Sequence, residues 1–152
     1  MTVNGQKMSK SRGTFFTARE FLGLYDAECL RYYYASMLSK KLHDIDLSLE
    51  DLGKKINNEL VANIGNFCYR VFNFLNKNFD GNVQEIDENK KIIEEITNEI
   101  KRIEKKYHEL NFNEVVKGIL HISFLGNKYF QDNEPWKLIE KDKQSVNKIL
   151  GL

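Results

Sequence analysis

Between residues 48 and 130 apolar side chains recur at spacings of three and four along three long stretches, separated only by short polar breaks. In the first stretch Ile56, Leu60, Ile64, Phe67, Cys68, Val71, Phe74 and Leu75 mark one helix face out to about Phe79, where Asp80-Gly81-Asn82 breaks the pattern. After Asp87 a second helix shows Ile92, Ile93, Ile96, Ile100, Ile103, Tyr107 and Leu110, with Lys and Glu on its other faces. Asn111 with Glu114 reads as the cap of a third, which runs through Val115, Val116, Ile119, Ile122 and Leu125 to about Phe130. Each stripe can be buried only against the others. Three such helices on short loops therefore dictate an all-α fold, an antiparallel up-down helical bundle. The only proline, Pro135, follows Asn133-Glu134 and introduces a short helix from Trp136. A last segment from Ser145, with Val146, Ile149 and Leu150, reads as a helix cut short, as in a fragment of a longer protein.

The first 47 residues obey a different pattern. Thr17 with Glu20 forms a capping box before Phe21, Leu22 and Leu24, and Asp26 caps a second short helix bearing Leu30, Tyr33, Tyr34 and Met37. Residues 42–49 alternate apolar and polar side chains at Ile45, Leu47 and Leu49, the period of an extended segment, and Ser48 with Asp51 opens the first long helix. The chain thus divides at 47/48, into a mixed segment over 1–47 and a helical domain over 48–152.

Composition excludes several classes. With 152 residues, 41% of them hydrophobic and 12% aromatic, there is enough apolar mass for a core, so disorder and a coiled-coil rod are excluded. No run approaches the roughly 18 apolar residues of a membrane helix, and the first residues lack the apolar core of a secretory signal. Cys29 and Cys68, each within an apolar helical pattern, read as reduced, packed thiols. The expected location is cytoplasmic, with no membrane partner.

The net charge of +1 conceals a gradient: +4 over residues 1–41, −4 over 42–110 and +1 over 111–152. Lys7, Lys10, Arg12 and Arg19 precede the first acid, Glu20, and Gly5 and Gly13 lie among them. Residues 7–11, Lys-Met-Ser-Lys-Ser, put two cations and two hydroxyls on a glycine-flanked loop. That chemistry suits a polyphosphate whose leaving pyrophosphate gains charge in the transition state.

This loop resembles the KMSKS signature of class I aminoacyl-tRNA synthetases. Its continuation Arg12-Gly13-Thr14, the segments Leu30-Arg31-Tyr32-Tyr33-Tyr34-Ala35 and Asp44-Ile45-Asp46-Leu47, the pair Asn66 and Arg70, and Pro135-Trp136 are similar to the methionyl branch of that class, nearly end to end. The resemblance implies a KMSKS loop and stem-contact segment over 1–47, followed by a class Ia anticodon-binding domain over 48–152. It implies an enzyme that joins methionine to tRNA(Met) with ATP and Mg, whose nucleotide-binding half is absent from this chain. The fragment alone is accordingly expected to be inactive and to bind no cofactor. Zinc, held elsewhere in the family, is not expected here, nor is a DNA partner. A stand-alone, non-catalytic tRNA-binding module derived from a synthetase is the alternative.

Lys7, Met8, Ser9, Lys10 and Ser11 are the catalytic candidates, the lysines stabilising the triphosphate and the serines shaping the loop. Asn66, Arg70, Asn127, Pro135 and Trp136 are the candidates for reading the CAU anticodon. The i, i+4 spacing of Asn66 and Arg70 puts an amide and a guanidinium on one helix face, suited to base edges and phosphate. An arbitrary pair of this kind is a neutral helix residue and a surface cation. A lone tryptophan is commonly core, but after the polar run 131–134 Trp136 offers an aromatic face to an unstacked base. At Gln131 several family members carry an acid, so the repulsion of wrong anticodons attributed to that acid lacks its charge here. Asp44 and Asp46 read as outward-facing structural residues with no evident partner, and His43, His108 and His121 lack the spacing of metal ligands.

Overall fold

A computed structural model of the chain describes every residue except 1, 10, 12, 14, 16, 42, 43, 84–89 and 152. It begins with a hairpin, β1 (Thr2–Val3) and β2 (Gln6–Lys7), whose two-residue turn places Asn4 and Gly5 at φ 49° and 75°. Asn and Gly are the residues that tolerate this left-handed geometry, which matches the twist of a tight hairpin. Two short helices follow, α1 (Ala18–Leu22) and α2 (Ala27–Ala35). Both expected caps form: the Glu20 amide donates to Thr17 Oγ1 at 3.0 Å while the Thr17 amide donates to Glu20 Oε2, and Asp26 accepts the Glu28 amide. The extended piece is only β3 (Asp46–Leu47), parallel to β1 in a sheet of order β2-β1-β3; Leu42 and His43 lie outside the described residues. Phe21, Tyr33, Leu47 and Leu52 form a core beneath this sheet, with Val3, Leu30 and Tyr34 packed around them.

The first long helical run differs from a plain α-helix. It comprises α3 (Leu49–Lys55), ten π-wound residues from Ile56 to Gly65, and α4 (Asn66–Phe79). Apolar spacings of three and four do not distinguish the two windings, because residues four apart stay near one face in either. Within the wider segment Asn63 Nδ2 donates to the Leu120 carbonyl at 3.3 Å. At Gly65 a Cβ would stand 3.2 Å from the Leu60 carbonyl, so the small residue lets the wide turn close. Asp80 and Gly81, both left-handed, end the run as expected.

The helix α5 (Lys90–His108) returns antiparallel to α6 (Phe112–Asp132); its expected start after Asp87 lies outside the described residues. Glu99 lies 3.9 Å from His121 and Arg102 reaches Glu114 at 3.3 Å, whereas Asn63 meets Leu120 and Phe74 meets Phe130. The first set of contacts runs in opposite directions along the two helices and the second in the same direction. The bundle is therefore up-down-up, with α6 between α5 and the π–α4 run. Because α5 packs chiefly on α6, part of its predicted stripe stays uncovered: Ile93, Ile100, Tyr107 and Leu110 are exposed.

Two caps depart from the sequence reading. Asn111 heads α6 without a side-chain cap; the Asn113 amide donates instead to the Leu38 carbonyl at 2.8 Å, and Glu114 turns to Arg102 and Lys117. A tertiary acceptor and cationic partners have replaced the local box. After α7 (Pro135–Leu138), the last helix α8 (Lys143–Leu150) starts two residues before Ser145, because Asp142 accepts both the Ser145 amide and its hydroxyl. Inside the bundle Phe67, Cys68, Ile96, Ser123, Ile149 and Leu150 line a cavity of about 470 Å³. Among the described residues no helix is long and apolar enough to cross a membrane.

Candidate nucleic-acid interface and phosphate loop

The parallel packing of α4 on α6 brings together residues 57 and 61 positions apart in sequence. Arg70, on the fifth residue of α4, donates from Nη1 to Asn127 Oδ1 and from Nη2 to Gln131 Oε1, each at 2.8 Å. Asn127 and Gln131 are one turn apart on α6, so their carbonyl oxygens match the fork of the guanidinium. Both acceptors are neutral amides. They fix the direction of the cation without cancelling its charge, whereas a carboxylate in either place would neutralise it.

An aromatic floor completes the arrangement. The Arg70 Cζ lies 5.5 Å from the centre of the Phe130 ring and 5.9 Å from that of Trp136. Phe130 is buried, held edge-on by Phe74 at 5.9 Å, and Trp136 meets it at 5.8 Å with the rings tilted by 60°. Trp136 itself remains 38% exposed. Buried Pro135 sets its position at the start of α7, after a left-handed Glu134 at φ 41°. The result is a cation, two oriented amides and a half-open indole at one end of the bundle. Asn66 stands on the exposed surface one turn before Arg70.

The structure thus unites Arg70, Asn127, Pro135 and Trp136, and adds Phe130, Phe74 and a positive role for Gln131. Sequence reading assigned Phe130 only to a helix end. Its position three residues after Asn127 puts it beside that residue on one side of α6, which helical periodicity alone implies.

At the opposite end of the long helical run lies the loop of residues 7–11. Lys7 ends β2 and is exposed, Ser9 and Ser11 share a hydrogen bond at 3.0 Å, and Lys10 lies outside the described residues. Met8 faces inward, lining an apolar recess with Val3, Phe15, Phe21, Leu30 and Tyr34. The sequence reading gave Asp46 no partner, and the structure corrects this. Its carboxylate accepts the Thr2 hydroxyl and, at 2.9 Å, the Gly5 amide, and these bonds hold it below the usual carboxylate range. Asp44 is exposed. His121 stacks on Phe124 and lies 3.9 Å from Glu99, while His43 lies outside the described residues.

The chain is similar to known proteins along nearly its whole length. Residues 1–72 match the family model for tRNA synthetases class I (M), and residues 80–151 match that for the anticodon binding domain of methionyl tRNA ligase. The methionine–tRNA ligase of Methanopyrus kandleri is 38% identical over 150 residues, 99% of this chain and 22% of that protein. That of Vesicomyosocius okutanii is 40% identical over 146 residues, 96% of this chain and 27% of its own length. The chain thus spans about a quarter of the length of the curated relatives it matches. The fold is shared with Mycobacterium tuberculosis methionyl-tRNA synthetase in complex with methionyl-adenylate, at a TM-score of 0.82 and 22% identity over 98% of this chain and 31% of that one. The two family matches, one over the hairpin segment and the start of the helical run and one over the rest of the bundle, define the class, that of class I aminoacyl-tRNA synthetases. Within it, the chain belongs to the methionyl-tRNA synthetase family.

Proposed function

We propose that this chain supplies two of the working parts of a methionine–tRNA ligase: the loop that handles ATP phosphates and the domain that reads the CAU anticodon of tRNA(Met). The observation that carries the second part is Arg70, forked onto two neutral amides beside a half-exposed indole. Trp136 stacks on a splayed anticodon base, Arg70 takes the adjoining phosphate, and Asn66 and Asn127 meet base edges, with Pro135 setting the indole. The amide of Gln131 here orients Arg70.

In the loop, Lys7 and Lys10 stabilise charge on the triphosphate as pyrophosphate leaves, and Ser9 and Ser11 shape the backbone around it, while Met8 anchors the loop to the core below. Ammonium and hydroxyl donors suit phosphate oxygens. Mg therefore enters with ATP as part of the substrate, methionine and tRNA being the others. The division at 47/48 separates these two tasks. The 152 residues alone bind the anticodon arm but do not form aminoacyl-adenylate, and the enzyme works in the cytoplasm.

The test is fluorescence anisotropy with a labelled anticodon stem-loop carrying CAU and one with an altered anticodon, at fixed salt. The CAU loop should bind this chain preferentially. Trp136→Ala, folded by circular dichroism, should lose about 1–3 kcal/mol, the worth of one base-aromatic stack. Equal, weak binding of both loops, with Trp136→Ala altering only stability, would refute the anticodon reading.

A further inference from the structure

The hairpin that launches the phosphate loop is fastened to residues more than 40 positions away. Its rows are in register across the sheet: Lys7 faces Thr2, and Thr2 faces Asp46. The Thr2 amide donates to the Ile45 carbonyl at 3.1 Å and the Asn4 amide to the Leu47 carbonyl at 3.0 Å. Two side chains then lock the turn itself. The Gly5 amide donates to Asp46 Oδ1 at 2.9 Å, and the Leu49 amide, first in α3, donates to Asn4 Oδ1 at 3.3 Å. The strand that holds the turn is braced in its own right. Buried Tyr33 donates its hydroxyl to the Asp46 carbonyl at 3.1 Å and accepts the Ser48 amide at 3.3 Å.

A two-residue turn with both residues at positive φ has no side-chain packing of its own to fix its tilt. An isolated two-stranded hairpin is marginal in water. Strand pairing with β3 holds β1, and the two side-chain bonds from Asn4 and Asp46 are what fasten the turn itself, beyond which Lys7 leaves the sheet.

Building on the phosphate-loop reading above, we propose that Asn4 and Asp46 are positioning residues for adenylate formation. They clamp the hairpin turn to the start of α3 and to β3, so that Lys7 meets the triphosphate in the geometry of pyrophosphate departure. They touch no substrate. The clamp also ends on Leu49, the first residue of the helical run that carries Arg70, so the loop is referenced to the same rod as the anticodon site.

The substitutions separate the clamp from the fold. Asp46→Ala removes both acceptors, whereas Asp46→Asn keeps Oδ1 for the Gly5 amide and offers an amide group to the Thr2 hydroxyl. Asn4→Gly keeps the left-handed turn and loses only the bond to Leu49, and Asn4→Asp retains an acceptor. In a full-length methionine–tRNA ligase carrying these residues, methionine-dependent ATP–pyrophosphate exchange should fall at least tenfold in kcat for Asp46→Ala and Asn4→Gly. KM for methionine should stay within twofold, and Asp46→Asn and Asn4→Asp should recover to within about threefold of the parent. In this 152-residue chain, hydrogen exchange at the Gly5 amide should speed up in Asp46→Ala and at the Leu49 amide in Asn4→Gly, while CAU stem-loop binding is unchanged.

If exchange of those amides accelerates but kcat stays within twofold, the clamp does not position the loop and the proposal falls. Failure of the conservative variants to recover activity, with circular dichroism unchanged, overturns it equally. Lys7→Ala is the control for the underlying reading. If it lowers kcat while Asp46→Ala does not, only the clamp is wrong; if it also leaves kcat unchanged, the phosphate-loop reading itself has failed.

Discussion

Replacing Arg70 by Lys and by Met separates the charge of the proposed anticodon site from its geometry. Arg70 makes two hydrogen bonds of 2.8 Å to neutral acceptors and lies over two rings. Each such bond contributes about 0.5–1.5 kcal/mol net, and the cation–π contacts at a half-open site about 0.5–1 kcal/mol. An ammonium has no planar fork and cannot reach Asn127 and Gln131 together in that geometry. Arg70→Lys should therefore cost about 1–2 kcal/mol of stability, less than the sum, because both amides lie near water and rehydrate. It should also weaken CAU stem-loop binding by about tenfold, since the cation is no longer aimed at the phosphate.

The salt dependence carries the discrimination. Each phosphate neutralised on a single strand contributes about −0.7 to the slope of log K against log salt. Arg70→Lys should keep the parent slope, because the charge remains, and Arg70→Met should lower its magnitude by about 0.7. Anisotropy titrations from 50 to 200 mM salt, with urea unfolding for stability, provide both quantities. Parent-like affinity in Arg70→Lys would show that the fork onto Asn127 and Gln131 does not matter for binding. An unchanged slope in Arg70→Met would place Arg70 away from any phosphate, and the assignment would fail.

Two further outcomes test the scaffold. A Cβ on Gly126 would stand 2.6 Å from the Phe67 ring, so in Gly126→Ala the ring must shift or α4 must move away from α6. Overpacking of about 1–3 kcal/mol, offset by about 1 kcal/mol of helix propensity, leaves a net loss of about 0–2 kcal/mol in urea unfolding, with weakened CAU binding because Asn127 is the next residue. Stabilisation with unchanged binding would mean the ring has room to retreat. Glu99 is held below its ordinary value near 4.5 first by its hydrogen bonds to Arg102, which also meets Glu114 across the α5–α6 interface. A carboxylate with a depressed folded pKa contributes stability that is complete above about pH 4.5 and is lost as pH falls through the lower folded value. The stability gap between the parent and Arg102→Met should thus be constant from pH 6 to 8 and shrink below about pH 4.5. A gap unchanged down to pH 3 would refute the assignment.

How far the sequence determined this protein is clearest at the helix ends and in the stripes. Thr17, Asp26, Ser48 and the Asp80-Gly81 break act through bonds spanning two or three residues, and each formed as their order dictates. The three apolar stripes likewise required a bundle, because burial of a helix face depends only on side-chain period. The order of residues 7–11 and the Pro135-Trp136 step marked both candidate sites for the same reason: each is contiguous. What tertiary structure alone decided involves partners far apart in the chain. The contact of Asn63 with α6 joins residues 57 positions apart, the start of α6 is met by a carbonyl of Leu38, and the orientation of Arg70 comes from amides 57 and 61 residues away. Asp46, read as an idle surface acid, became the fastening of the hairpin for the same cause. Hydrogen bonds and ring contacts act over a few ångströms, so their assignment waits on which distant residues the packed stripes bring within that reach.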